Sequence, residues 1–483
     1  MNLLDILKDV EYEIKGNKDI DIEYLSIDSR NIKKNTMFIC ITGFNVDGHD
    51  FIDTALEKGA VCLVVEKEIK SKYENLTIIK VKNSRISMST IANNFYKNPT
   101  ENIKMIGVTG TNGKTSVSFY IHSILMKYKL KVGLIGTVST KINKKDVPIE
   151  FATSTTPDTI ELMQILDYMK QNNVDNIVME VTSHALALYK VEDLKFFVSV
   201  FTNLTQDHLD LHKTMENYRN AKAKLFTKSN ISVINIDDEY GKYMEEIAIG
   251  KVITYSIEKD SDIKAENIIY SQNYSSFDVY IFGKNHKFIL PIPGIFSVYN
   301  ALATIGVAIS LDIPITVIQD ALENLETVPG RIETIPNTMG LNIIVDYSHT
   351  PDSLKNIILT AKEFTKNKVI TVFGCGGDRD KSKRPLMAKE SSTFSDFSVI
   401  TSDNPRTEEP TLILKDIEKG MVNKNYILIE DRKEAIEFAI NMATKYDTVI
   451  IAGKGHETYQ IFKDKTIDFD DRLVVKEAIN KKI

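Results

Sequence analysis

The run Gly110-Thr111-Asn112-Gly113-Lys114-Thr115-Ser116 constrains this chain more than any other stretch. It is entered from an apolar, strand-like segment at residues 104–109 and leaves into a helical stretch at 116–127. A strand that stops, turns on glycines and restarts as a helix belongs in a covered α/β sheet. The turn also carries chemistry. Glycines let backbone N–H groups approach phosphate oxygens, and a helix N-terminus adds a favourable dipole. On this pattern Lys114 contacts the β- and γ-phosphates of a nucleotide and Thr115 a magnesium ion. The spacing is a variant of the phosphate-loop pattern: Val108 stands five residues before Gly113, and the glycines are Gly107, Gly110 and Gly113. A glycine-rich turn with an exposed lysine is the alternative that the same residues allow.

Apolar runs alternate with helical stretches along the rest of the chain. At about 150 residues per domain, 483 residues suggest three domains. The expected blocks are 1–98, 99–329 and 330–483, with breaks at Asn98-Pro99 and Pro329-Gly330. The first is a small α/β unit, with strand-like runs at 37–42 and 61–65 and a helical stretch at 50–58. The second carries strand candidates at 104–109, 132–135, 177–181, 198–201 and 233–236, closed by helices at 298–311 and 315–325; it reads as a mostly parallel covered sheet. The third, with strand candidates at 343–345, 369–373, 398–401, 426–429 and 448–452, reads as a doubly wound Rossmann-like sheet. Ligands of such sheets bind beyond the carboxyl ends of the strands.

Composition narrows the partners. Sixty basic against 66 acidic residues, a net charge of −6, argue against a nucleic-acid-binding face. Cys40, Cys62 and Cys375 are odd in number, far apart and in no CxxC, which fits a reducing cytoplasm. No apolar run approaches the roughly 18 residues that span a bilayer, and no basic-then-apolar leader opens the chain. The expectation is a cytoplasmic monomer with no membrane partner.

Further candidates lie in the middle block. Glu180 ends an apolar strand, where a carboxylate can complete a magnesium shell; a solvated or capping glutamate is the alternative. His208 and His212 are spaced i, i+4, as a zinc pair would be; a magnesium ligand or a helix-capping Asp207 fits the run better. The segment 218–226 has the pattern of an ordinary amphipathic helix, whose lysines would be solvated.

Taken together, the runs resemble the Mur ligase family, the ATP-dependent amide-forming enzymes of peptidoglycan precursor synthesis. The resemblance spans the chain in order: the glycine loop, Asp207–Asp210, Pro293–Ala301, Pro329–Glu333 and Asp346–Asp352. It implies that Asn300, Arg331 and Asp346 join Gly110, Thr111, Asn112, Gly113, Lys114, Thr115 and Ser116 at ATP. It implies that Lys222 is carbamylated and, with Thr115, Glu180 and His208, holds Mg2+. Lys114, Glu180, His208 and Lys222 would be the catalytic set.

The likeness is strongest to members that add the third residue to UDP-N-acetylmuramoyl-L-alanyl-D-glutamate. Asp28-Ser29-Arg30 and residues 43–49 then resemble the uridine-binding part, giving Ser29 a contact to the UDP-linked substrate. Ser154, Thr155, Thr156, Thr182 and Lys190 resemble muramoyl-dipeptide contacts. Thr182 stands where serine is common and keeps a hydroxyl. Lys190 stands where arginine is usual and keeps the charge but not the planar fork.

The added amino acid is expected to be meso-diaminopimelate. Asp403-Asn404-Pro405-Arg406 resembles the motif for that substrate, and Arg379, Gly453 and Glu457 match the rest of its pocket. Diaminopimelate differs from lysine by a carboxylate at its far end, which a guanidinium holds by two charge-assisted bonds. The expected reaction passes through an acyl phosphate, with the C-terminal block closing to exclude water. Such a ligase serves cell-wall biogenesis, and through it cell shape and division. A lysine-adding ligase, a folylpolyglutamate synthetase and a nucleotide-gated binding protein without ligase chemistry are the alternatives.

Overall fold

The computed structural model describes residues 1–43, 46–69, 76–150, 155–271 and 274–482. Phe44 and Asn45, within the run 43–49, and Ser154 lie outside the described residues. The chain forms two compact units, and both draw on the middle block.

The first unit comprises Met1–Gly107, Leu130–Ser199 and Lys224–Asn230. Its five-stranded sheet runs Tyr12–Lys15, Thr77–Val81, Ala60–Val65, Thr36–Ile39, Tyr24–Ser26 across the page. Only the Tyr12–Lys15 edge is antiparallel. Alternate side chains face opposite ways along a strand, and this decides the two cores. Met37, Ile39, Cys62 and Val64 pack with helix Ser84–Phe95 on one face. Phe38, Leu63 and Val65 pack with helix Ile52–Glu57 on the other. Elsewhere in this unit Val132–Ile135 pairs in parallel with Asn176–Glu180, every residue of both strands being buried. Helix Thr159–Gln171 lies so close that a Cβ on Gly133 would stand 2.5 Å from Met169 Sδ.

The second unit comprises Val108–Lys129, Val200–Ala223 and Ile231–Ile483. Here Ile231–Asn235 pairs in parallel with Lys251–Ser256, which pairs in parallel with Ile263–Tyr270. Strands Ile263–Tyr270, Ser275–Ile281 and Lys284–Leu290 then form an antiparallel meander that the sequence reading did not contain. Its alternating polar pattern, one face buried and one wet, lacks the continuous apolar runs of covered strands.

The six-stranded sheet of this unit has the order Glu333–Thr334, Asn342–Asp346, Thr448–Ala452, Val369–Phe373, Phe397–Ile400, Tyr426–Leu428, parallel after the first strand. Helices Arg432–Met442 and Asp471–Lys482 cover one face. Helices Pro351–Phe364, Lys383–Phe394 and Pro410–Glu418 cover the other. This is the doubly wound arrangement expected. The order sets the carboxyl ends of Asn342–Asp346, Thr448–Ala452, Val369–Phe373 and Phe397–Ile400 side by side, so their following loops form one cluster.

Candidate active site

The glycine loop is built as the sequence predicts. Gly113 precedes helix Lys114–Lys127 with φ +84°, the left-handed region that side-chain-bearing residues avoid. A Cβ there would lie 2.6 Å from Asn300 Oδ1, which puts the predicted Asn300 directly at the loop. The next strand's end holds the loop in place. Thr202 Oγ1 donates to the Asn112 carbonyl at 2.6 Å, Asn112 N donates to Asn203 Oδ1 at 2.9 Å, and Thr111 N donates to the Asn203 carbonyl at 2.9 Å. Asn112 Nδ2 donates to Asp352 at 2.8 Å. Sequence reasoning did not single out Thr202, Asn203 or Asp352 as site residues. The available signal was their place in runs already quoted, directly after a strand or within Asp346–Asp352.

Cations converge on this loop. Lys114 Nζ donates to the carbonyls of Gly110 and Thr111 at 2.9 and 2.8 Å. Lys222 Nζ donates to the same Gly110 carbonyl at 2.8 Å and lies 4.6 Å from the centre of the Tyr218 ring. The expectation that this helix carries solvated lysines is overturned at Lys222, which is only 1% exposed. Helix Met215–Ala223 turns its Tyr218, Ala221 and Lys222 side inward. Burial, reinforced by the Lys114 charge, holds the Lys222 ammonium well below its ordinary range.

Arg331 Nη2 donates to Thr115 Oγ1 at 3.1 Å, and its guanidinium lies 4.5 Å from the centre of the Tyr347 ring. Its buried Nε has no acceptor among the described residues, so this cation retains capacity for an anion. Asp346 shapes the same turn by accepting from Ile332 N at 2.8 Å and Ser348 N at 2.9 Å. Asp207 is buried, which alone would raise its carboxyl; His208, Lys383 and His349 outweigh that and bring it down to about 2. His208 Nε2 lies 3.3 Å from Asp207 Oδ2, and His212 stacks on Tyr218 at 5.0 Å. His349 is half-buried, and desolvation, reinforced by the Lys383 charge, lowers its imidazole to about 4.

The first unit holds the remaining predicted residues of the middle block. Glu180, fully inside at the end of its strand, accepts from Thr137 N at 2.9 Å and from Thr137 Oγ1 at 3.0 Å. Thr137 Oγ1 is also 3.0 Å from Thr155 Oγ1. Thr156 Oγ1 donates to the Glu180 carbonyl at 2.9 Å and lies 3.2 Å from Thr182 Oγ1. Thr182 caps helix Ser183–Ala187. The threonine at 182 therefore retains the hydroxyl chemistry of a serine cap. Lys190 pairs with Asp158 at 3.0 Å. Ser29 is buried at the start of a short 3-10 turn capped by Asp28.

The third-block residues gather in the loops at the clustered strand ends. Arg406, at φ +54°, donates through Nη1 to the Gly377 carbonyl at 2.7 Å. A Cβ on Gly376 would stand 2.8 Å from Arg406 Nη1 and 3.8 Å from Arg379 Cγ, so both guanidinium side chains flank this glycine. A Cβ on Gly453 would stand 2.6 Å from Asp403 Oδ2. Asn404 Nδ2 donates to Glu457 Oε2 at 2.8 Å. Burial alone would raise the Asp403 carboxyl, but Lys454 and Arg432 reverse the direction and hold it below its ordinary value. Pro405 carries the turn between them, its carbonyl 1.9 Å from where a Cβ on Gly377 would stand. Glu408 ties the two loops together: it accepts from Asp378 N at 2.7 Å and from the buried Arg384 at 2.9 Å. The Arg384 hydrogen bond leads the causes that take the Glu408 carboxyl down to about 2. No helix among the described residues is long and apolar enough to cross a membrane.

This geometry has counterparts in known proteins. Residues 21–96 match the family described as Mur ligase family, catalytic domain; residues 108–308 match the Mur ligase middle domain; residues 330–455 match the Mur ligase glutamate ligase domain. The UDP-N-acetylmuramoyl-L-alanyl-D-glutamate–2,6-diaminopimelate ligase of Clostridium tetani is 49% identical, over 100% of both chains. The protein of the same name from Clostridium botulinum is 47% identical, again over 100% of both. Among solved structures, one described as a UDP-N-acetylmuramoyl-L-alanyl-D-glutamate–2,6-diaminopimelate ligase has a TM-score of 0.70 at 29% identity, covering 100% of this chain and 99% of its own. The MurF ligase of Thermotoga maritima in complex with ADP shares the fold, with a TM-score of 0.64 at 19% identity over 95% and 97% of the two chains. Three domain families in the expected order and relatives matched from end to end lead to one conclusion: the chain belongs to the Mur ligase family.

Proposed function

We propose that this protein is an ATP-dependent ligase that joins meso-diaminopimelate to the D-glutamate γ-carboxylate of UDP-N-acetylmuramoyl-L-alanyl-D-glutamate, in the cytoplasm and as a monomer. Residues 1–98 and the Thr155, Thr156, Thr182 and Lys190 positions serve the UDP-linked substrate. Residues 99–329 carry ATP, and residues 330–483 the incoming amino acid.

The observation that carries the reading is the pocket of Arg379, Arg406, Asn404 and Glu457. It offers cations and a carboxylate together. Diaminopimelate presents the opposite set, a carboxylate and an ammonium at its far end. Lysine lacks that carboxylate and would leave the half-buried Arg406 guanidinium without an anionic partner, which lowers its affinity.

The reaction follows from charge. The γ-carboxylate of the dipeptide attacks the γ-phosphorus of ATP, the bond to ADP breaks, and an acyl phosphate forms. Two anions must approach each other for this, so Lys114 and Arg331 act at the phosphates. The amine of diaminopimelate then attacks the acyl carbon, loses a proton, and phosphate leaves as the amide forms.

The residues fit a magnesium ion and a carbamate. Lys222 is held toward the neutral amine, the only form that adds carbon dioxide. The product is an anionic oxygen donor, which with the Thr115 hydroxyl and His208 suits a divalent cation. Magnesium, when bound, supplies charge neutralisation at the transferring phosphoryl group.

The test is phosphate release with ATP and the UDP-linked dipeptide, adding diaminopimelate or L-lysine in turn. Release that needs diaminopimelate is expected. Equal release with lysine would reassign the amino acid, and release with neither would remove the ligase reading.

A further inference from the structure

Lys454 lies between two residues already placed in the amino-acid pocket, yet it belongs to none of the roles above. It follows strand Thr448–Ala452 in a loop whose backbone has little freedom. Gly453 N donates to the Asp346 carbonyl at 3.1 Å, and Glu457 N donates to the Lys454 carbonyl at 3.0 Å. A Cβ on Gly455 would stand 2.8 Å from the Gly330 carbonyl. The lysine side chain turns inward and is 0% exposed. Nearly all lysines keep the ammonium in water, so a wholly buried one needs partners for all three protons.

It has them. Nζ donates to Asn404 Oδ1 at 3.1 Å and to Glu457 Oε2 at 2.9 Å, and it lies 5.5 Å from the centre of the Tyr459 ring. Asn404 Oδ1 also accepts from Ile461 N at 3.0 Å. Both lone pairs of that oxygen are thereby used, so the amide has one orientation and its Nδ2 points at Glu457 Oε2, 2.8 Å away. Glu457 Oε2 thus takes two donors, while Oε1 makes no hydrogen bond to another described residue.

We propose that Lys454 is a positioning residue for amino-acid recognition: by holding Asn404 and Glu457 Oε2, it presents Glu457 Oε1 as a fixed acceptor for an ammonium group of the substrate. This rests on reading the pocket as the amino-acid site. An acceptor locked by neighbours loses little entropy on binding. With Lys454 removed, only Ile461 N–H still holds the Asn404 oxygen, and Glu457 Oε2 keeps one donor of two, so its carboxylate can turn toward solvent.

The experiment is steady-state kinetics on Lys454→Met, Lys454→Gln, Glu457→Gln and the Lys454→Met/Glu457→Gln double variant, with the full chain. Wild-type turnover with diaminopimelate tests the pocket reading by itself. Lys454→Met is expected to raise KM for diaminopimelate about tenfold or more, the scale of one charged hydrogen bond. KM for ATP and for the UDP-linked dipeptide should stay within about twofold, because that binding is not touched. Lys454→Gln, which can still donate to one partner, should fall between wild type and Lys454→Met. The double variant should be no worse than Glu457→Gln alone, since Lys454 acts through that carboxylate. Three results overturn the proposal: an unchanged KM for diaminopimelate, equal rises in all three KM values, or a full additional loss in the double variant. Failure of both Lys454 variants to fold also counts against it, because the lysine would then support the core and not the pocket.

Discussion

Lys222 and Lys114 both donate to the loop carbonyls, and the two ammonium groups share the Gly110 oxygen at 2.8 and 2.9 Å. Like charges this close, with one wholly buried, favour the loss of one proton, and burial selects Lys222. Lys222→Arg keeps a permanent charge and cannot become a neutral nucleophile. Both Lys222→Arg and Lys222→Ala are expected to lose turnover by more than about a hundredfold, the order of one contact to a reacting phosphoryl group. Formate or acetate should restore part of the activity of Lys222→Ala by replacing the carbamate oxygens. A rate for Lys222→Arg near that of wild type in the phosphate-release assay would exclude a carbamate role.

Gly113 carries both a positive φ and a close approach. Its substitution by alanine costs about 1–2 kcal/mol in backbone strain alone and drives a methyl against Asn300 Oδ1 at 2.6 Å. Gly113→Ala should therefore raise KM for ATP and lower the melting temperature. Unchanged nucleotide binding by calorimetry would show that the loop can shift to accommodate the methyl.

Arg406→Ala should weaken diaminopimelate use selectively. The guanidinium is held by the Gly377 carbonyl at 2.7 Å, so it is already oriented before any substrate arrives. Loss of a charge-assisted contact predicts a rise in KM for diaminopimelate of about tenfold or more, with KM for ATP unaffected. Competition between diaminopimelate and lysine reads this directly: an unchanged preference would count against the pocket.

His349 makes stability depend on pH. Its folded value, about 4, lies below the ordinary imidazole value because burial and Lys383 disfavour the charged form. Between the two values the unfolded chain binds a proton that the folded chain does not. Stability is therefore fully present above the ordinary value and falls as pH drops toward about 4. His349→Asn should flatten that limb in melting curves taken from neutral pH downward. Parallel limbs for the two proteins would assign the acid sensitivity elsewhere.

Arg432 and Asp471 are both 0% exposed and meet through two hydrogen bonds of 2.8 and 2.7 Å. Arg432 Nη2 also donates to the Ala452 carbonyl at 3.0 Å, at the strand end that leads into the pocket. Asp471→Asn leaves a buried guanidinium under-compensated, and the expected loss is about 3–5 kcal/mol in denaturant unfolding. A loss within about 0.5 kcal/mol, the range of ordinary surface substitutions, would show that the fold does not depend on this pair.

Local pattern alone determined much of this protein. Continuous apolar runs such as Val132–Ile135, Val369–Phe373 and Thr448–Ala452 declared covered strands because every side chain in them is buried. The glycine loop declared its turn because Gly113 needs a conformation other residues avoid. The strands at residues 263–290 escaped notice because a half-wet antiparallel strand has a weaker signature. Tertiary structure alone decided the states of the side chains. Lys222 sits in a helix that reads as amphipathic, and only packing against the loop makes it a buried, depressed amine. Lys454 is one more lysine in the sequence until the fold closes it in with Asn404 and Glu457. Backbone conformation follows from near neighbours in the chain, and a motif follows from spacing. Burial, charge state and hydrogen-bond orientation depend on residues tens to hundreds of positions away, which only the folded chain brings into contact.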